Sequence, residues 1–125
     1  MSTKRFAGEP TGVSAARRFV REQLVGRDTE LVEAAELLTS ELASNCVRHA
    51  GSDFEVAVRS RDPVRIEVRD HGGGKPTVLS PTPEEPTGRG LAIVEAMSDR
   101  WGVIPTARGK TVWFALGETA ATRGR

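Results

Sequence analysis

The feature that most narrows the fold is the run from residue 29 to 50. There Leu31, Ala34, Ala35, Leu38, Leu42 and Cys46 recur at helical spacing, and Gly51 follows as a stop. At about 100° per residue these side chains form one stripe, which needs a second layer to bury it. The chain supplies that layer downstream. Phe54, Val56 and Val58 alternate with charged or small residues, and Arg61-Asp62-Pro63 turns the chain. Val64, Ile66 and Val68 then alternate against Arg65, Glu67 and Arg69, so the two runs read as paired strands. A further pair, Arg100–Pro105 and Thr111–Leu116, flanks Ala107-Arg108-Gly109-Lys110. Trp101, Val103, Val112, Phe114 and Leu116 give it apolar mass, with Trp113 expected on the opposite face.

Ahead of the long helix, Ser14 is expected to cap a helix reaching about Val25, with Ala15, Phe19, Val20 and Leu24 as its apolar stripe. Arg17, Arg18, Arg21 and Glu22 form its solvated side, and Asp28 or Thr29 caps the long helix. Gly8, Pro10 and Gly12 leave room only for a short edge strand around Lys4–Ala7. The expected organisation is an N-terminal segment 1–13, one domain over 14–116 and a flexible tail over 117–125. A length of 125 residues suits that single core.

Composition removes several classes of function. No run approaches the roughly 18 apolar residues of a membrane span, and Met1-Ser2-Thr3-Lys4-Arg5 leads into no signal-peptide core. A net charge of +1, 5% aromatic residues and no tyrosine give no electrostatic or stacking case for nucleic acid. The lone Cys46 excludes an internal disulfide framework and fits a reducing cytoplasm. The expected partner is a small ligand or another protein.

Three stretches carry the chemistry. Asp70-His71-Gly72-Gly73-Gly74 ends the second strand with a carboxylate followed by glycines. By itself such a cluster is a surface turn. A carboxylate there also offers two acceptors for an amino group on a flat heterocycle, and glycines let the backbone approach it. On the long helix, Glu41, Asn45 and His49 stand at i, i+4 and i+8, about 6 Å apart along the axis and bordering the buried stripe. Such a row caps a loop, bonds to the facing sheet, or lines a cleft with a base and a magnesium ligand. Finally, residues 71–87 show no period and hold Pro76, Pro81, Pro83 and Pro86. Structureless connections beyond about 12–15 residues tend to be lids, and this one is expected to be mobile. It ends at Gly88-Arg89-Gly90-Leu91, the glycine-rich start of a third helix, which is either a hinge or an anion site.

Other motifs fail. Gly109-Lys110-Thr111 is no P-loop, because the first glycine of that motif would fall at Ile104. Gly88-x-Gly90 has Ile93 where a dinucleotide fingerprint needs a small residue. One cysteine and two histidines make no structural zinc site, and no Gly-x-Ser-x-Gly is present.

The remaining order, Glu41-x-x-x-Asn45, Asp70-x-Gly72-x-Gly74, a lid and Gly88-x-Gly90, resembles the GHKL (Bergerat-fold) ATP-binding domains. It looks most like the small anti-sigma-factor serine kinase-like regulators of actinobacteria. Residues Leu37–Ala50, Val68–Asp70, Gly88–Leu91, Asp99–Val103 and Gly109–Trp113 carry the resemblance, which covers about 14–116. It implies an α+β, two-layer sandwich with helices on one face of a mixed, mostly antiparallel sheet and ATP between the layers. By the same resemblance Asp70 would bond the adenine amino group, with Gly72 and Gly74 closing round the base. Asn45 would bind Mg²⁺, Gly88, Arg89 and Gly90 would meet the phosphates, and Thr111 would lie near adenine. Glu41 would be the general base toward a partner's serine. Kinase members often carry an arginine just before the glycine that opens the third helix. Here Pro86 and Thr87 precede Gly88, and Arg89 falls between the glycines.

Three readings follow. One is a Mg-ATP-dependent serine kinase that sequesters a sigma factor and phosphorylates an anti-anti-sigma partner, with a homodimer suggested by the family. The second is a non-catalytic, nucleotide-gated binding module, and the third an α+β interaction domain whose glycines are only turns. A histidine-kinase catalytic role is disfavoured, because His49 belongs to the long helix and no dimerisation helices are present.

Overall fold

The computed structural model describes residues 1–49, 53–70, 86–107 and 109–117, with the backbone alone for 86–91. In chain order the elements are β1 (Ser2–Phe6), α1 (Pro10–Gln23), α2 (Thr29–His49), β2 (Phe54–Arg59), β3 (Val64–Asp70), α3 (Pro86–Met97), β4 (Arg100–Pro105) and β5 (Lys110–Leu116). The strands form one sheet ordered β1-β2-β3-β5-β4, and every described pairing is antiparallel. The α+β sandwich is therefore present.

Register explains how the layers meet. Val56 stands across from Val68, Val58 from Ile66, Ile66 from Phe114 and Val68 from Val112. Alternate residues share a face, so these side chains project together. They are buried with Phe54 against Ala16, Val20 and Leu24 of the α1 segment and Leu31, Ala35, Leu38, Leu42 and Cys46 of α2. Complete burial of a side chain such as Phe54 or Ile66 contributes about 1.5–3 kcal/mol. The intervening residues lie on the other face. There Glu67 takes bonds from Arg65 at 3.1 Å and Arg69 at 2.7 Å, and Arg65 covers the Trp113 ring at 4.1 Å. Burial works against the Glu67 charge, but the two arginines outweigh it and hold this carboxyl below its usual range. Trp113 thus occupies the face opposite the core, as expected.

Boundaries shift where local chemistry was underweighted. α1 begins at Pro10 rather than at Ser14, because proline suits the first helical position, where its missing N–H costs nothing. The expected N-terminal segment is consequently part of the sandwich, since β1 pairs along its length with β2. Asp28 does cap α2, accepting from Leu31 N–H at 3.3 Å. α3 starts at Pro86, so Thr87, Gly88 and Gly90 lie inside its first turns. Residues 71–85, most of the expected lid, and the tail beyond 117 lie outside the described residues.

Candidate functional site

The candidate site forms where β3 ends against α2. Asp70 is the last residue of β3, directly across from Lys110 of β5 and Phe54 of β2. Counting alternately from Ile66 and Val68 puts Asp70 on the helix-facing side of the sheet. The β4–β5 turn closes against it. A Cβ added at Gly109 would stand 2.5 Å from the Asp70 carbonyl oxygen and 3.3 Å from its Cγ. Only glycine permits that approach.

Cys46 of α2 reports the electrostatics. Burial pushes its thiol up to about 12, the Asp70 carboxylate adds to the rise, and Lys110 opposes it. The buried side of α2 therefore lies within electrostatic reach of both groups. One residue earlier, Asn45 is 6% exposed, and its Oδ1 accepts a 2.6 Å bond from Arg48 Nη2. A turn back, Glu41 is half-buried, whereas His49 at the end of the row is exposed. The expected row thus divides: Asn45 inside, Glu41 at the border, His49 in solvent.

The other expected residues are not all brought together. Thr111 pairs with Arg69, so its side chain projects to the face opposite Asp70, and Lys110 takes the position beside the carboxylate. Gly88, Arg89 and Gly90 belong to the start of α3, which packs on α2. Gly72 and Gly74 lie outside the described residues. Two contacts were missed. Gly109 was read within the Gly109–Trp113 stretch of the resemblance, and its approach to Asp70 shows only with strand register, while the Asn45–Arg48 pair stands at i, i+3, a spacing visible in the sequence. Asp99, within another stretch of the resemblance, has a structural part: its carboxylate accepts from Gly117 N–H at 2.6 Å.

One described side chain of the expected set, Asn45, offers an oxygen of the kind a hard cation takes. Among the described residues no group of three or more His, Cys, Asp or Glu could hold a metal by itself. The amide oxygen of Asn45 is a hard donor of the kind that a cation taking its remaining ligands from water and phosphate accepts. For a nucleotide, Asp70 presents acceptors at a strand end where Gly109 keeps the backbone close.

Comparison with known proteins bears on the family and the fold. The family model for the histidine kinase-like ATPase domain matches residues 6–116. Among solved structures, the chain is similar to the RsbU and RsbW domains of Rv1364c from Mycobacterium tuberculosis, with a TM-score of 0.67 and 20% identity. The match covers 94% of this chain and 32% of that one, so this chain spans about a third of its length. At that identity the likeness shows the fold.

Proposed function

The chain belongs to the histidine kinase-like ATPase domain family, and on that premise we propose that it binds ATP between α2 and the end of β3. The observation that carries this reading is Asp70, set on the helix-facing side of the sheet with Gly109 against its backbone. In it the Asp70 carboxylate accepts the adenine amino group, and Gly72 and Gly74 let the chain close round the base. Register favours Lys110 over Thr111 as the β5 residue beside the base. Gly88, Arg89 and Gly90, in the first turns of α3, approach the phosphates, since the N–H groups of a helix start favour anions. Asn45 Oδ1 is the ligand offered to Mg²⁺, which when bound neutralises phosphate charge.

We assign the domain to regulation by serine phosphorylation in the cytoplasm, with an anti-anti-sigma protein as substrate and a sigma factor as sequestered partner. Glu41 takes the proton from the partner's serine hydroxyl. The serine oxygen then bonds to the γ-phosphorus as the bond to the β-phosphate oxygen breaks, releasing ADP. Such transfer depends chiefly on positioning and charge neutralisation. Glu41→Gln should leave nucleotide affinity within about twofold and lower phosphoserine formation at least a hundredfold, read by mass spectrometry of the co-purified partner. Equal phosphoserine with wild type and Glu41→Gln would remove the base assignment.

A second reading, a nucleotide-gated binding module without transfer, is favoured by one feature. No arginine directly precedes Gly88, where Pro86 and Thr87 stand. Under it, ATP and ADP select different partner affinities and no phosphoserine forms.

A further inference from the structure

A groove of about 310 Å³ lies between α1 and α2, lined by Pro10, Val13, Ser44, Val47 and Arg48. Three of these side chains are apolar, Ser44 is neutral, and the one charge is cationic. The volume is at the lower end of ligand sites, roughly 300–1,000 Å³, enough for one or two side chains. The same Arg48 that lines the groove donates from Nη2 to Asn45 Oδ1 at 2.6 Å. One guanidinium therefore stands between the groove and the amide oxygen assigned to Mg²⁺.

We propose that this groove takes an apolar residue with a neighbouring carboxylate from a protein partner, and that the carboxylate draws Arg48 away from Asn45. Charge complementarity selects the occupant: apolar walls hold an aliphatic side chain, and the rim cation holds an acid. Arg48 has five N–H donors in a planar fork. A carboxylate accepts two of them in parallel, a stronger arrangement than a bond to one neutral amide oxygen. An acid seated in the groove therefore draws the guanidinium toward its own side, which lengthens the Nη2–Oδ1 contact and frees Asn45 Oδ1.

The consequence for the metal rests on the proposed function. Arg48 and Mg²⁺ are two cations competing for one oxygen, so removal of Arg48 raises metal affinity at Asn45. By linkage, metal at Asn45 sends Arg48 toward the groove and tightens the partner. Partner docking and metal-nucleotide loading then reinforce each other through one side chain.

The test uses the full chain and two capped dipeptides, acetyl-Leu-Glu-amide and its neutral control acetyl-Leu-Gln-amide, followed by NMR. The Glu peptide should shift the Val13 and Val47 methyls and the Asn45 side-chain amide, with at least tenfold higher affinity than the Gln peptide. Arg48→Gln should make the two peptides equal and silence the Asn45 response. Equal affinities on wild type, or Asn45 shifts that survive Arg48→Gln, would overturn the proposal. The NMR needs no nucleotide, so a chain that binds the Glu peptide as described and binds no ATP keeps the groove and loses the proposed function. With ADP present, the Glu peptide should raise Mg²⁺ affinity at least threefold in wild type and leave it unchanged in Arg48→Gln. An unchanged wild-type affinity would overturn the coupling.

Discussion

Cys46 shows how one residue on the inner side of α2 takes its chemistry from the fold. Burial removes the solvent that would stabilise a thiolate, and the Asp70 carboxylate adds repulsion, so the thiol is pushed from 9.0 up to about 12. The folded value is the higher one. Its contribution to stability is therefore complete below about pH 9 and is lost as pH rises from there toward 12. Chemical denaturation of wild type and Cys46→Ala should show this directly. The stability difference between them should narrow by about 1.4 kcal/mol between pH 8 and pH 10, because the unfolded thiol ionises first. A difference constant across that interval would mean that Cys46 ionises as readily folded as unfolded. Below pH 9 the native thiol should also resist alkylation, since the thiolate is the reactive form.

At the scale of elements, the site depends on the β4–β5 turn closing on the end of β3. Gly109→Ala puts a methyl group 2.5 Å from the Asp70 carbonyl oxygen, a clash with backbone rather than with a movable side chain. The expected cost is about 1–3 kcal/mol in thermal or denaturant unfolding. Nucleotide affinity should fall as well, because the displaced atoms belong to the residue proposed to read adenine. Unchanged stability and affinity would contradict the close approach. This contact also marks the limit of what the sequence could tell. Strong periodicity made α2 and the β2–β3 and β4–β5 pairs legible, and the strand end that carries Asp70 with them. The start of α1 was legible too, had Pro10 been weighed as a first helical residue instead of a breaker. Gly109 and Thr111 were different. Their relation to Asp70 depends on the β3–β5 register, which pairs residues separated by 40 or more positions and leaves no local pattern. Thr111, expected near the base, pairs with Arg69, while Lys110 pairs with Asp70.

Among the described residues, the sheet supplies one inner face and three helices cover it, with α1 and α2 also packed on each other. No helix among the described residues is long and apolar enough to cross a membrane. The family model covers residues 6–116, which include the strands and helices that frame Asp70 and Asn45. Within that range, the space between α2 and the end of β3 is proposed to hold a nucleotide. Calorimetric titration of the purified chain with ATP and ADP, with and without Mg²⁺, reads that binding. Wild type should bind in the micromolar range, about −8 kcal/mol at 1 μM. Asp70→Asn, which loses a charged acceptor worth about 1.5–3 kcal/mol, should bind roughly ten- to a hundredfold more weakly. Asn45→Ala should keep nucleotide binding and lose its dependence on Mg²⁺. No heat of binding from wild type at millimolar nucleotide, or an Asp70→Asn chain that binds as well as wild type, would contradict the account.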